Sequence, residues 1–206
     1  MAEPADADRA ARRRLRALRQ SMPAAARAAA ERAIAARLRR IGCARPGLRV
    51  GAYLAMPGEA SLDNFLEEAF AAGTRLYVPR ISSRRRFMLE FVELAPGAAL
   101  RRGPYGILEP PAHGRRARMA ALDAVLVPLV AFDRDGHRLG MGAGYYDRAL
   151  APRRDRSRSY RRPKLVGIAY ACQELASITP RAWDVALDAV VTERELIVPR
   201  AAARRR

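Results

Sequence analysis

The chain has 206 residues, half of them apolar and 29% charged, which suits one domain with a proper core and excludes a disordered chain. No apolar run approaches the roughly 18–20 residues of a membrane span, and the start, MAEPADADRAARRRL, carries no apolar secretory core; a cytoplasmic protein with no membrane partner is expected. Two cysteines, Cys43 and Cys172, and two histidines, His113 and His137, exclude a disulfide scaffold, a CxxC site and a histidine-rich zinc cluster.

The net charge is +18, yet only one of the 39 basic residues, Lys164, is lysine. Lysine neutralises phosphate as well as arginine does, so selection for nucleic-acid binding would not exclude it. The arginine excess is read as coding bias, and nucleic acid is not expected as a partner. The charge still steers small polyanions toward the protein.

In chain order, residues 9–22 read as a helix. Leu15, Leu18 and Met22 make an apolar stripe, and Arg9, Arg12, Arg16 and Arg19 a basic one roughly 100° away. Pro23 then opens an alanine-rich helix over 24–40 that carries Ile34 and Leu38. Leu48–Leu54 reads as a strand, followed by the loop Met56-Pro57-Gly58-Glu59. Ser61 is placed as N-cap of a helix over 62–72, which Gly73 ends. Arg75–Val78 reads as a short strand stopped by Pro79, and Phe87–Leu94 as an edge strand. Residues 95–121, dense in proline and glycine, read as a long irregular crossing. Leu122–Val127 is an apolar strand closed by Pro128, a helix starts within 143–151, and Leu165–Ala169 and Ala186–Thr192 are further strands.

This alternation predicts an α/β fold: a Rossmann-like three-layer α/β/α sandwich around a mainly parallel sheet, in a single domain spanning 1–206. Residues 153–163 form a basic loop, and 201–206 a flexible tail. Ligands of such sheets collect at the carboxyl ends of the strands, where Glu59, Phe132–Tyr146 and Tyr170–Gln173 all fall.

The chemistry concentrates in Pro128–Arg148, PLVAFDRDGHRLGMGAGYYDR. Gly140, Gly142 and Gly144 alternate, which lets backbone N–H groups approach an anion, and a helix start follows. Arg138 adds a guanidinium fork suited to phosphate, Tyr145 and Tyr146 add rings and hydroxyls, and Asp147 adds a hard oxygen ligand for magnesium. The Rossmann GxGxxG spacing fails at Tyr145, and no P-loop is present. On spacing alone, an ordinary glycine turn and a phosphate cradle both remain open.

The segment FDRDGHRLGMGAGYYDR resembles the signature of the 5-formyltetrahydrofolate cyclo-ligase family, also called methenyltetrahydrofolate synthetase, which runs roughly aFDxxGxRLGxGxGYYDR. Other features agree in order. They are the basic N-terminal helix, Tyr53-Leu54 with Glu59 beyond, Tyr105-Gly106-Ile107 before Glu109-Pro110, Gly167–Tyr170 with Gln173, and Asp184, Asp188 and Val191-Thr192-Glu193.

The resemblance implies ATP- and magnesium-dependent conversion of 5-formyltetrahydrofolate to 5,10-methenyltetrahydrofolate, with release of ADP and phosphate. It places Arg138, Leu139, Gly140, Met141, Gly142, Ala143, Gly144, Tyr145 and Tyr146 on ATP, together with Arg12 and Arg9. It places Leu54, Glu59 and the stretch from Met141 to Tyr145 on the folate, and Asp147 and Asp188 on magnesium. Arg12, Arg138 and Tyr145 would be the catalytic residues. Where the family has a basic residue four positions before that arginine, this chain has Asp8, with Arg9 beside it. Asp184 is weighed as a second carboxylate near the metal; His137 and Cys172 receive no chemical role.

Two other readings are carried. One is a relative that uses ATP on another formylated or thiamine-type heterocycle; Glu59 together with GYYDR argues against it. The other is a basic RNA-binding module, which predicts steeply salt-dependent binding through 153–163. A monomer is expected.

Overall fold

The computed structural model describes residues 4–82, 88–111, 114–142, 144–151 and 162–199. Two helices open the chain, α1 (Pro4–Gln20) and α2 (Ala24–Arg40). Alanine and arginine favour helix intrinsically, and Pro23 separates the two because its ring cannot continue α1 yet is tolerated ahead of α2. α2 has its expected bounds, whereas α1 begins at Pro4 rather than residue 9.

The face of α1 turned inward also differs from the expected one. Leu15 and Arg19 are buried, while Leu18 is 43% exposed. Asp8, Arg12, Leu15 and Arg19 follow i, i+4, i+7, i+11 spacing, so the inward stripe is mostly polar.

Next come β1 (Arg49–Gly51), α3 (Asp63–Ala71), β2 (Arg75–Ser82) and β3 (Met88–Leu94). The Ser61 hydroxyl accepts the Asp63 N–H at 3.0 Å, although α3 is entered from Leu62. Pro79 does not stop β2. It pairs with Phe91 of β3 beyond the last β1 partner, Tyr77, so its missing N–H faces no ladder. The 95–121 crossing is less irregular than expected. It holds β4 (Arg101–Arg102) paired with β5 (Leu108–Glu109), and β6 (Arg116–Ala117) paired with β3.

The second half supplies β7 (Ala124–Pro128), the small hairpin β8 (Ala131–Phe132) and β9 (Arg138–Leu139), and α4 (Tyr145–Leu150). It ends with β10 (Lys164–Ile168), β11 (Ala189–Val191) and β12 (Leu196–Ile197). Of the expected basic loop only Arg162 and Pro163 are described, and the 201–206 tail lies outside the described residues.

The main sheet has eight strands in the order β12-β11-β10-β7-β1-β2-β3-β6. Five of them, β11-β10-β7-β1-β2, pair in parallel, and β12, β3 and β6 are antiparallel additions. Numbered by sequence, the parallel strands run 5-4-3-1-2. This is a doubly wound order, and its switch point falls between β1 and β7.

Successive side chains of each strand point to opposite faces. Leu76, Val78, Leu126, Val166 and Ile168 pack under Ile34 and Leu38 of α2 and Phe65 of α3. Tyr77, Phe91, Val125, Leu165 and Val190 pack under Leu150 of α4, Leu122 and Leu187. The expected three layers are present, although the second face is covered more by connecting chain than by helix. A third cluster, Leu15 with Val130, Ala131, Leu139 and Ile178, fastens α1 across the carboxyl ends of the strands.

Candidate active site

The switch point between β1 and β7 opens into a cleft of about 440 Å³. Its floor is made where those strands end, by Tyr53 and Leu54 after β1 and by Val127, Pro128 and Leu129 of the β7 end. The β2–β3 hairpin adds Ile81 and Leu89 as one wall, which it can reach because β2 runs on past Pro79. Arg138 to Gly142 and Gly144 to Asp147 make another wall, and α1 adds Asp8 and Arg12.

The glycine loop is held from both sides. The Arg12 Nε–H donates to the Gly140 carbonyl at 2.9 Å, tying α1 to the loop. Gly142 has φ +96° and Gly144 φ +66°, conformations that side chains with a Cβ resist. No atom lies within 4 Å of where a Gly142 Cβ would sit, so there glycine is required by backbone conformation, not by crowding. Gly136 differs: a Cβ there would meet Pro199 at 2.7 Å.

Arg138 is buried and donates to the Asp147 carboxylate and to the Val185 carbonyl. Its fork is thereby fixed between α4 and the 183–187 segment. α4 has only six residues, so its dipole adds little, and the cationic side chains carry the anion affinity instead. Tyr145 and Tyr146 both line the cleft. The Arg148 guanidinium lies 5.0 Å from the Tyr145 ring centroid, which holds that ring against the loop.

Glu59 also lines the cleft. Its carboxylate accepts the Met56 N–H at 3.0 Å. Burial pushes its pKa above the ordinary carboxylate value, against the opposing Met56 hydrogen bond and the charges of Arg19 and Arg16. Burial also raises the hydroxyl pKa values of Tyr53 and Tyr146, with Glu59 adding to both shifts, so these phenols stay protonated.

Beneath the floor lies Arg19, 3% exposed. One nitrogen donates to the Leu129 carbonyl at 2.9 Å, and its Nε is buried without a hydrogen-bond partner. Burial lowers its pKa while Glu59 pulls it back up. Hydrophobic periodicity cannot flag a buried arginine; its place on the Asp8–Arg12–Leu15 stripe was the available signal.

The structure brings together Arg12, Leu54, Glu59, Arg138, Leu139, Gly140, Met141, Gly142, Gly144, Tyr145, Tyr146 and Asp147. Ala143 lies outside the described residues. Arg9 does not join them. It pairs with Asp6 at 2.8 Å on the outer side of α1, and Asp8 takes the cleft-facing position.

Asp188 is not brought to Asp147 either. It lies next to Leu165, at the amino ends of the strands, and its carboxylate accepts the Leu165 N–H at 2.8 Å. Asp123 does the same for Arg49, so both acids clip the beginning of a neighbouring strand. Among the described residues no group of three or more His, Cys, Asp and Glu side chains is arranged to hold a metal. Asp184 does line the cleft, its carboxylate accepting the Arg181 N–H at 2.8 Å.

Tyr170 and Gln173, expected near the ligand, lie behind the cleft. The Tyr170 hydroxyl donates to Glu31, and Gln173 donates to the Leu129 and Val130 carbonyls. Cys172, expected to be packed, is exposed beside the buried Gln173. His137 is part-buried, held by Asp133 at 2.9 Å, and is not among the cleft residues.

The profile of the 5-formyltetrahydrofolate cyclo-ligase family matches residues 4–193, which includes every cleft residue described above. A 5-formyltetrahydrofolate cyclo-ligase from Escherichia coli is 34% identical over 144 residues, covering 69% of this chain and 76% of the relative. One from Haemophilus influenzae is 31% identical over 144 residues, covering 69% and 74%. The solution structure of a 5,10-methenyltetrahydrofolate synthetase from Aquifex aeolicus superposes with a TM-score of 0.76 at 26% identity, over 94% of this chain and 93% of that one. A Mycoplasma pneumoniae structure, at 23% identity and TM-score 0.69 over 90% and 98%, shares the fold. With the signature loop walling a cleft at the switch point of the matching fold, the chain belongs to the 5-formyltetrahydrofolate cyclo-ligase family.

Proposed function

We propose that the cleft converts 5-formyltetrahydrofolate to 5,10-methenyltetrahydrofolate with ATP as co-substrate, releasing ADP and phosphate. The observation that carries this is that one cleft holds both a half-buried acid, Glu59, and the arginine-braced glycine loop.

A formyl amide is a weak electrophile. Its oxygen attacks the γ-phosphorus, the bond to ADP breaks, and the formyl oxygen becomes part of a leaving group. The N10 lone pair then attacks the same carbon, phosphate departs with that oxygen, and loss of the N10 proton leaves the methenyl bridge. No covalent protein nucleophile is needed. The protein aligns the formyl oxygen with the phosphorus and neutralises charge as it moves.

The residues divide accordingly. Glu59 accepts hydrogen bonds from the N–H edge of the pterin, and Leu54 packs beside it. Arg12 and Arg138 hold phosphate oxygens, with the backbone from Leu139 to Gly144 as additional donors. Tyr145, under Arg148, limits where the reacting groups lie. Met141, 48% exposed, sits at the mouth and closes over bound ligand.

Asp147 fits magnesium as one carboxylate beside bound phosphates, the usual manner for this ion. Magnesium supplies charge neutralisation on the phosphate oxygens when bound. Asp188 takes no part, because its carboxylate serves the amino end of β10.

No helix among the described residues is long and apolar enough to cross a membrane, and the two free cysteines suit a cytoplasmic setting.

The test is a near-ultraviolet assay of methenyl product from purified protein, 5-formyltetrahydrofolate, magnesium and ATP. Product that requires both ATP and magnesium is the expected result. A folded protein that binds ATP and gives no product would refute the folate assignment and favour another formylated or thiamine-type heterocycle.

A further inference from the structure

The rim of the cleft carries an aromatic side chain that the mechanism leaves unused. Trp183 lines the cleft yet is 53% exposed, although tryptophan is among the residues with most to gain from burial. It is presented by a closed turn. The Asp184 N–H donates to the Arg181 carbonyl at 3.0 Å, and the Asp184 carboxylate accepts the Arg181 N–H at 2.8 Å. The Arg181 guanidinium lies 5.9 Å from the indole centroid.

This turn is fastened to the phosphate end of the cleft. Arg181 pairs with Asp8 at 3.0 Å, Asp8 pairs with Arg12 at 3.8 Å, and Arg12 holds the Gly140 carbonyl. Two residues after Trp183, the Val185 carbonyl accepts from Arg138. Glu59, the proposed pterin contact, belongs instead to the loop after β1.

We infer that Trp183 is the stacking platform for the purine base of the nucleotide. This rests on the proposed use of ATP. A nucleotide whose phosphates lie on Arg12, Arg138 and the glycine loop must send its base away from the folate. Trp183 offers an exposed flat apolar surface on the segment tied to those arginines, whereas the Tyr145 ring already carries the Arg148 guanidinium. Any base has a π-face, so the indole supplies affinity, and the polar atoms of Arg181 and Asp184 at its edge supply the choice between bases.

The chain contains one tryptophan, so emission excited to the red of tyrosine absorption reports this position alone. The protein is titrated with a non-hydrolysable ATP analogue and with inorganic tripolyphosphate, each with and without 5-formyltetrahydrofolate. Calorimetry measures binding independently. Saturable quenching by the nucleotide at its calorimetric Kd, and none by bound tripolyphosphate, is the expected result. In turnover, Trp183→Ala raises KM for ATP roughly 5- to 100-fold, with a smaller effect on KM for the folate, and Trp183→Phe recovers much of the loss.

Nucleotide binding seen by calorimetry with silent fluorescence and an unaltered KM in Trp183→Ala would overturn the inference and leave the proposed function standing. Quenching by the folate alone would reassign Trp183 to that substrate and equally overturn it. No calorimetric binding of nucleotide under any condition would overturn both.

Discussion

Replacing Glu59 by glutamine separates what the cleft needs from what the fold prefers. The amide oxygen can still accept the Met56 N–H, so the loop keeps its shape. The charged acceptor for the pterin edge is lost, which costs about 1.5–3 kcal/mol for a charge-assisted hydrogen bond, or roughly 10- to 150-fold in kcat/KM for 5-formyltetrahydrofolate. Stability moves the other way. Burial holds the Glu59 pKa above its ordinary value, so the folded protein binds that proton more tightly than the unfolded chain. Its contribution to stability is therefore present below the ordinary carboxylate range and is lost as pH rises through the raised value. That shift already includes the attraction of Arg19, so neutralising Glu59 at neutral pH relieves a net cost. Thermal melts at pH 7 should show Glu59→Gln at least as stable as the parent, the gap closing toward pH 4, while kinetics show the loss of folate affinity. A variant that melts well below the parent at pH 7, or keeps the parental KM, would refute the reasoning.

Arg19→Met removes the stronger of the two arginine counter-charges acting on Glu59 without orphaning the Leu129 carbonyl, which still accepts from Gln173 at 2.7 Å. The acid limb of the kcat/KM profile should move to higher pH; superimposable profiles would contradict the role given to Arg19. Gly142→Ala forces a Cβ onto a φ of +96° in open space, costing about 1–2 kcal/mol locally. KM for ATP should rise while the melting temperature falls only a few degrees, and a collapsed melt with intact kinetics would show that the loop serves the fold. Asp147→Asn leaves Arg138 its bond to the Val185 carbonyl. Stability should drop by about 1–3 kcal/mol for the lost ionic partner, and the magnesium concentration needed for half-maximal rate should rise. A magnesium titration unchanged from the parent would exclude Asp147 from the ion.

The central strands were legible because they are short apolar runs bounded by proline and glycine, such as LDAVLVP and LRVGAYL. Their ends were not: β1 keeps only Arg49–Gly51 because the chain turns away to build the cleft floor. The two-residue strands near Arg101 and Leu108 left no trace, since a pair of residues has no periodicity to read. Pro79 misled because the rule that stops a strand at proline holds only where a neighbour needs its N–H.

In the site, the signature loop was legible as a unit, because its chemistry lies in consecutive residues. Contributions from Asp8 and Arg19 were not, since each meets its partner more than a hundred positions along the chain. Asp188 drew attention as a carboxylate in an apolar run. Its carboxylate takes the Leu165 N–H, a role that sequence alone could not distinguish from a metal ligand.

The docking of α1 has a consequence for how the protein is made. The helix is the first described element to leave the ribosome, yet several groups that anchor it are synthesised much later: the Leu129 carbonyl 110 positions on, Gly140 128 positions on, and Ile178 later still. Until then its Leu15 and Arg19 lack these anchors, and a 17-residue helix alone in water is only marginally stable. The nucleotide end of the cleft therefore cannot assemble before the chain has been made well past Gly140. Nascent or truncated chains can complete the parallel strands β1, β2 and β7 without acquiring a phosphate site, so catalytic competence marks the end of folding.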